Sequence, residues 1–488
     1  MSVKTLVIGL DGADHRMLDQ MIAEGALPAF AALRDRSVAF EVQNDPAQGN
    51  GQFWTSAAVG AGPGHHGRYF YMQFDPASYD IRLENDLTLP TLTPFWETLD
   101  AEGHKVTVVD WYKMPVGPLK HGVLLHRWFA HEPLHNTTFH PPEMRVVAER
   151  YAKSDPIAEG FASRARDGAA AMRDFFERTL SRIDIKSSFF ADQMRDNDWN
   201  LYVACFSEAH NIGHYFMEVE DESHDLHDLS VAAAIANPLR QCYKRLDQAI
   251  AAIMDAAGSD AEVFVIAGPH MEKFISANGA FDEILRRVDQ GNDAPLAAAE
   301  SAKNSYHAIA PEPLRRRLAP LAKWMRRKLA RNRFQGRRFF AVPHNDNSGA
   351  VRINLKGREK YGCVSPGEEY DALIAEIAEG VSSFINPATG RSIVKRVVNV
   401  SAEFDGPHRD LIPDLYIEWD RTETTGNFQR LVSTHFGEVI IPRHARTGDH
   451  GQTGGFWAPA GRLETGPGRP KDIAAPILAS VRSAPPLC

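Results

Sequence analysis

Cysteine is scarce in this chain: four in 488 residues (Cys205, Cys242, Cys363 and Cys488), widely spaced and with no Cys-x-x-Cys. That argues against a cysteine-based zinc site and a disulfide scaffold, and it suits a reducing compartment. Long hydrophobic runs are missing as well. No stretch approaches the ~18 consecutive apolar residues of a membrane span, so no transmembrane segment is expected. The chain enters an apolar strand directly after Met-Ser-Val-Lys, which leaves no room for a signal peptide, and the expected location is cytoplasmic. An excess of basic charge is absent too. The net charge of -9 is spread along the sequence, which disfavours a nucleic-acid polymer as partner. What remains is an ordinary globular composition, 43% hydrophobic and 24% charged, long enough for one large domain with insertions or for two domains.

Residues 4–10 carry the apolar run Thr-Leu-Val-Ile-Gly-Leu, which reads as a strand buried on both faces of a parallel sheet and ends at Asp11-Gly12. Helical periodicity follows from Met17 to Leu33. Val106–Val109, Leu201–Phe206 and Val263–Ala267 resemble the first strand, and helical patterns such as Met172–Ile183 and Leu239–Met254 lie between them. Alternating strands and helices predict a doubly wound α/β fold. Composition changes near residue 300. Residues 311–338 are rich in arginine and lysine, with Leu314, Leu318, Leu321, Trp324, Met325 and Leu329 at helical spacing. This predicts a basic amphipathic helix, read first as a solvated helix packed by one face and second as a contact for an acidic partner or an anionic membrane surface. The expected organisation is a first core part over 1–300, this helical segment over 301–338, an inserted α/β subdomain over 339–444, and a strand-like return to the core over 445–488.

Four places could carry chemistry. Asp11 stands at the carboxyl end of the first strand, where open α/β sheets bind ligands; alone it reads more readily as a turn or cap residue. His210 and His214 follow the Leu201–Phe206 strand, with Glu208 just upstream. Four residues apart on a helix, the two imidazoles share a face and can grip one metal, and two histidines with a carboxylate are a recurrent zinc set. His270 ends another apolar strand in Gly268-Pro269-His270, and His450 sits in the glycine-rich Gly448-Asp449-His450-Gly451. Any one of these histidines is more readily structural than a ligand. Several of them, each just beyond a buried strand or in a glycine-rich turn, point together to a metal site.

The order of these motifs resembles the type I phosphodiesterase/nucleotide pyrophosphatase family of the alkaline phosphatase superfamily. The resemblance is carried by Val7-Ile8-Gly9-Leu10-Asp11-Gly12-Ala13, by Phe53-Trp54-Thr55-Ser56 with Gly62-Pro63-Gly64-His65-His66-Gly67, and by Glu208-Ala209-His210 with Gly213-His214. It continues through Val351-Arg352-Ile353-Asn354-Leu355-Lys356-Gly357-Arg358-Glu359, Ile412-Pro413-Asp414-Leu415 and Thr447-Gly448-Asp449-His450. It implies an alkaline-phosphatase-like, mostly parallel sheet flanked by helices, with an inserted smaller subdomain. It also implies two metals, usually zinc, flanking a threonine or serine nucleophile. One metal's ligands map onto His210, His214 and His450, and the other's onto Asp11, Asn50, Pro269 and His270.

This sequence departs from that pattern. The nucleophile position is Asn50, and residues 41–54 contain no serine, threonine or cysteine. A carboxamide is a poor nucleophile, although its oxygen can bind a metal and its NH2 an anion. Thr55 and Ser56 are the nearest hydroxyls, a turn further along. Pro269 replaces one metal-binding aspartate, and His210 replaces another unless Glu208 takes that role. The expected centre is therefore lopsided, with one full metal position preferred over two.

The expected activity is that of a metal-dependent hydrolase or transferase acting on a phosphate ester or related anionic ester through metal-activated water. The alternatives are the same site turned to a non-phosphate biosynthetic reaction, and a non-catalytic anion-binding protein. Asn50 and Glu208 are the expected catalytic residues, and Trp54, His65 and Lys113 the expected contacts to a small anionic substrate. Asp11, Glu208, His210, His214, His270 and His450 are the expected metal ligands. The metal is expected to be zinc, one or two ions, with manganese or iron as alternatives; the oligomeric state is not legible.

Overall fold

The structure is a computed structural model. It describes residues 4–112, 114, 117–130, 136–157, 168–222, 224, 226–291, 334–421, 429–442, 446–483 and 486. Lys113 and nearly all of the expected basic helix lie outside the described residues. Among the described residues no helix is long and apolar enough to cross a membrane. The chain divides into two compact units: residues 1–66, 90–274 and 444–488 form one, and residues 67–89 and 275–443 the other. The second contains the stretch read as an inserted subdomain and, with it, the segments 67–89 and 275–338.

The first unit is built on an eight-stranded sheet. Its strands are β1 (Thr5–Leu10), β2 (Ser37–Gln43), β3 (Val106–Val109), β4 (Val123–His126), β5 (Thr138–His140), β6 (Leu201–Phe206), β7 (Glu262–Ala267) and β10 (Thr453–Pro459), in the order β2-β10-β7-β1-β6-β3-β4-β5. The five strands from β7 to β4 are parallel. Both edges turn antiparallel, through β10 and β2 on one side and β5 on the other. Every residue of β1 is buried. Leu6, Ile8 and Leu10 enter the core on one face, and Val7 enters the core on the other. Alternate side chains serve two faces, which is why the sequence shows a continuous apolar run rather than an alternating one.

The helical pattern from Met17 to Leu33 forms two helices, α1 (His15–Ala23) and α2 (Pro28–Arg34). The break has a local cause. Gly25 takes φ +72°, and Pro28 opens the second helix, a position where its missing N–H costs nothing. The helix expected over Met172–Ile183 is longer, α4 (Ala169–Asp196). Later helices of this unit include α5 (Glu208–Glu220), α6 (Pro238–Ala257) and α7 (Ala474–Arg482), the last within the closing segment read as strand-like. The helix that precedes them and matters for the site is α3 (Asn50–Val59).

The second unit has a four-stranded antiparallel sheet with strands in the order Phe339–Val342, Ser348–Ile353, Leu415–Trp419, Val394–Asn399. Helices Asn278–Gln290 and Glu368–Ser382 share a hydrophobic core with it. The Arg352–Glu359 and Ile412–Leu415 motifs meet here in an ion network. Arg352 donates to Glu359 at 2.7 Å, and Arg358 donates to both oxygens of Asp414 at 2.7 Å. A bidentate pair of this kind is specific in geometry, and the motif supports structure.

His344 is buried in the same unit, and burial holds its imidazole down at about 3, far below the ordinary histidine value. Its neutral form is thus favoured in the folded state. The stability this contributes is complete above the unfolded pKa of ~6.5 and is lost as pH falls toward the folded value. Stability of this unit is expected to decline between about pH 6.5 and 3 with a slope of up to ~1.4 kcal/mol per pH unit. Native-state hydrogen exchange of the 339–353 strands across that range checks this, and His344→Leu should flatten the slope.

Candidate metal centre

The carboxyl ends of β1, β6 and β7 lie side by side, with Leu10 in register with both Phe206 and Ala267. Asp11 follows the first of them and α5 the second. Two short strands, β8 (Met271–Lys273) and β9 (Gly448–His450), pair antiparallel with Met271 opposite His450. That pairing carries His450 in from the closing segment. Gly448 makes the approach possible, because a β-carbon there would fall 2.1 Å from the Gly213 carbonyl oxygen on α5.

His210, His214 and His450 come together with their ligand atoms all within 4.8 Å of one another, and all three are buried. His214 and His450 each have an outer partner. His214 Nδ1 lies 2.7 Å from Gly448 O, and His450 Nδ1 lies 3.1 Å from Pro269 O. Donation to those carbonyls leaves each Nε2 unprotonated, the tautomer found where histidine ligates a metal. His450 Nε2 lies 3.1 Å from His210 Nδ1, and Asp11 Oδ2 lies 3.1 Å from the same nitrogen. Bonds of ~2.0–2.1 Å in a tetrahedral site place ligand atoms about 3.3 Å apart, so these separations fit one small divalent ion. Burial pushes His214 well below the ordinary histidine value, which keeps it neutral and able to ligate.

Asp11 borders this set rather than belonging to it. Its Oδ1 accepts from Asn50 Nδ2 at 2.8 Å and from the Trp54 indole N–H at 2.9 Å. Asn50 is the first residue of α3, whose N-cap Gly49 offers no side-chain cap. The acceptor-only carboxylate fixes the orientation of the Asn50 amide. Its Oδ1 is buried with no hydrogen-bond partner.

Three expected ligands lie outside the three-histidine cluster. Glu208 does not join the histidines: its carboxylate faces Lys186 at 3.5 Å, and both side chains are fully buried. His270 stands apart as well. Its Nδ1 lies 2.9 Å from Thr453 O and 3.0 Å from Thr453 Oγ1, while its Nε2 lies 3.6 Å from Glu272. Asp11 reaches only the His210 side. Of the expected substrate contacts, Trp54 is 1% exposed and packs edge-on against Trp111. It orients Asp11 and offers no face for stacking. Trp111, Tyr112 and Trp128 are likewise core residues. His65 is exposed on the short helix Pro63–His66.

Two residues of this region escaped the sequence reading. Asp110 and Lys186 are fully buried and paired at 3.0 Å. Burial works against the Lys186 charge, but Glu208 and Asp110 together outweigh it and hold the ammonium above its ordinary value; burial raises Glu208. A signal existed. Asp110 ends the apolar strand Val106–Val109 just as Asp11 ends β1, and Lys186 falls at a core position of α4, one turn beyond Ile183. A cavity of about 210 Å³ in the second unit adjoins Arg358, Tyr370 and Asp414. None of the three clustered histidines lines it.

Crystal structures of phosphonoacetate hydrolase from Sinorhizobium meliloti 1021 are similar in fold. The complex with phosphonoacetate aligns at 13% identity and TM-score 0.57, and the complex with phosphonoformate at 14% and 0.54; each alignment covers 98% of this chain and 96% of that one. Human ectonucleotide pyrophosphatase/phosphodiesterase 5 aligns at 11% identity and TM-score 0.48, over 99% of this chain and 96% of that one. No curated protein matches the sequence. The profile of the type I phosphodiesterase/nucleotide pyrophosphatase family matches residues 5–430. With that match over most of its length, the chain belongs to the type I phosphodiesterase/nucleotide pyrophosphatase family, a family of metal-dependent phosphoester hydrolases.

Proposed function

We propose that this protein is a single-metal member of its family that hydrolyses a small phosphate ester or related anionic ester without a covalent enzyme intermediate. The observation that carries the proposal is Asn50. It stands at the head of α3, hydrogen-bonded to Asp11 and beside His210 (Nδ2 to Nδ1, 3.4 Å), where the family resemblance implies a nucleophilic hydroxyl. A carboxamide cannot take that role. Neither of the nearest hydroxyls stands in for it. Thr55 Oγ1 donates to Gly51 O at 3.0 Å, and Ser56 Oγ lies 3.3 Å from His66.

His210, His214 and His450 would hold the ion, with Asp11 beside them. Zinc suits an imidazole-rich set, and manganese or iron would need more oxygen donors. A divalent ion held there supplies Lewis acidity and a lowered pKa for water. The chain's own groups do the rest. The uncapped N-terminus of α3 presents backbone N–H groups to the oxygens of an anion. Asp11, oriented by Asn50 and Trp54, is the acceptor beside His210. The incomplete second position, with Pro269 in place of an acidic ligand and His270 turned to Thr453 and Glu272, supports one ion rather than two.

The test is stereochemical. Hydrolysis of a substrate made chiral at phosphorus should invert configuration, as one displacement does; net retention would mean two displacements and refute direct attack. Asn50→Ala should leave the metal bound while lowering kcat ~10-fold or more through lost orientation. The same depleted second position also suits a reaction at a non-phosphate ester. Turnover of simple nitrophenyl phosphodiesters at ~1 per second or faster by the metal-loaded protein would remove that alternative. A protein that binds no metal at all would leave the non-catalytic anion-binding reading.

A further inference from the structure

A second polar cluster lies at the start of α5, the helix of His210 and His214, and no step above uses it. The Lys186 ammonium, on the middle of α4, is surrounded by three oxygens. It lies 3.0 Å from Asp110 Oδ2, 3.1 Å from Cys205 O and 3.5 Å from Glu208 Oε1. All three charged side chains are 0% exposed. Each acceptor belongs to a different part of the frame that delivers ligands. Cys205 is the penultimate residue of β6. Asp110 follows β3 in a left-handed conformation (φ 57°), and its carboxylate also accepts from the N–H groups of Trp128 and Phe129 at 2.7 and 2.9 Å. Glu208 is the first residue of α5, the helix that carries His210 and His214, and neither of its oxygens makes a hydrogen bond.

Burying one ammonium with two carboxylates is costly, and apolar residues of the same volume often serve stability as well or better. The best-attested return on such a cluster is fixed register. Here the element being fixed is the start of α5. A metal site needs its ligands held to within ~0.5 Å, and His210 lies just two residues beyond Glu208 in the sequence.

We propose that Lys186 is a positioning residue for the metal centre: by holding Asp110, Cys205 O and Glu208 together it sets the first turn of α5, and with it the imidazoles of His210 and His214. The proposal rests on the three-histidine centre being a metal site.

The test uses the full-length chain as wild type, Lys186→Met and Glu208→Gln. Zinc affinity is measured by competition with a chromophoric chelator, and geometry by the visible bands of the cobalt-loaded protein. The expected result is unchanged stoichiometry, zinc affinity weakened ~10–100-fold in both variants, the range for loss of an outer-shell partner, and shifted cobalt bands. Unchanged affinity and bands in the variants would overturn the proposal even if thermal stability fell, because the cluster would then support the fold and not the ligands. If Lys186→Met does not fold, Glu208→Gln decides alone, since it leaves a neutral Lys186–Asp110 pair. Loss of an oxygen ligand from the zinc X-ray absorption spectrum of Glu208→Gln would also overturn it, by making Glu208 a ligand. Failure of the wild type to bind zinc or cobalt would strike at the metal centre itself and thereby remove the proposal's basis.

Discussion

Replacing His450 with alanine is expected to empty the metal centre and abolish metal-dependent turnover together. His450 contributes one of three clustered imidazoles, and the other two both come from α5. Two imidazoles on one helix face remain, with Asp11 beside only one of them. Loss of an outer-shell partner costs ~10–100-fold in affinity. Loss of a ligand should exceed that, so ~100-fold or more is expected, a weakening of at least ~2.7 kcal/mol. Metal per chain after passage over a chelator is the direct readout, and His214→Ala should behave alike. Thermal unfolding gives a second. Zinc in excess should raise the midpoint of the wild type by binding only the folded state, and this increment should vanish in both variants. His65→Ala, at an exposed side chain, should retain full metal content. Wild-type metal content in both His214→Ala and His450→Ala would refute the ligand assignment.

Physical reasons separate what could be read in the sequence from what could not. β1, β6 and β7 were legible because a parallel strand covered on both faces must be apolar at every position. His210 and His214 were legible because their separation is one helical turn. His450 was different. Its glycine-rich turn is a weak local signal, the family resemblance implied its role, and its place depends on the β8–β9 pairing, which no local pattern shows. Glu208 misled for the converse reason. Nearness in sequence to two ligands suggested membership, but the first residue of a helix need not face the way its later residues do, and Lys186 supplies a buried partner that no local pattern ties to it. Trp54 misled because an aromatic near a site is equally suited to stack on a ligand or to fill the core. Its indole N–H on Asp11 and its packing on Trp111 are tertiary facts. The split between α1 and α2 was marked by Gly25 and Pro28, and apolar periodicity alone runs across both.

Gly12→Ala is expected to damage both stability and the metal centre. Gly12 follows Asp11 with φ +69°, a region where a β-carbon costs ~1–2 kcal/mol. The space is also taken. An added β-carbon would fall 2.6 Å from His210 Cα and 2.9 Å from His210 N, and these are backbone atoms that cannot rotate away. Forcing a methyl into such a contact adds ~1–3 kcal/mol, for a total of about 2–5 kcal/mol. The strain is relieved only by separating β1 from the start of α5. That movement would open the 3.1 Å contact between Asp11 and His210, so metal affinity should fall together with stability. Gly25→Ala is the matched control. Its φ of +72° imposes the same backbone cost, yet nothing lies within 4 Å of the added carbon. Thermal unfolding of the metal-free forms should place Gly25→Ala ~1–2 kcal/mol below wild type, with unaltered zinc affinity in chelator competition. Gly12→Ala should lie lower by the contact cost and bind zinc more weakly. If the two variants prove equally stable and bind zinc alike, the close approach of β1 and α5 is not what sets the distance between Asp11 and His210.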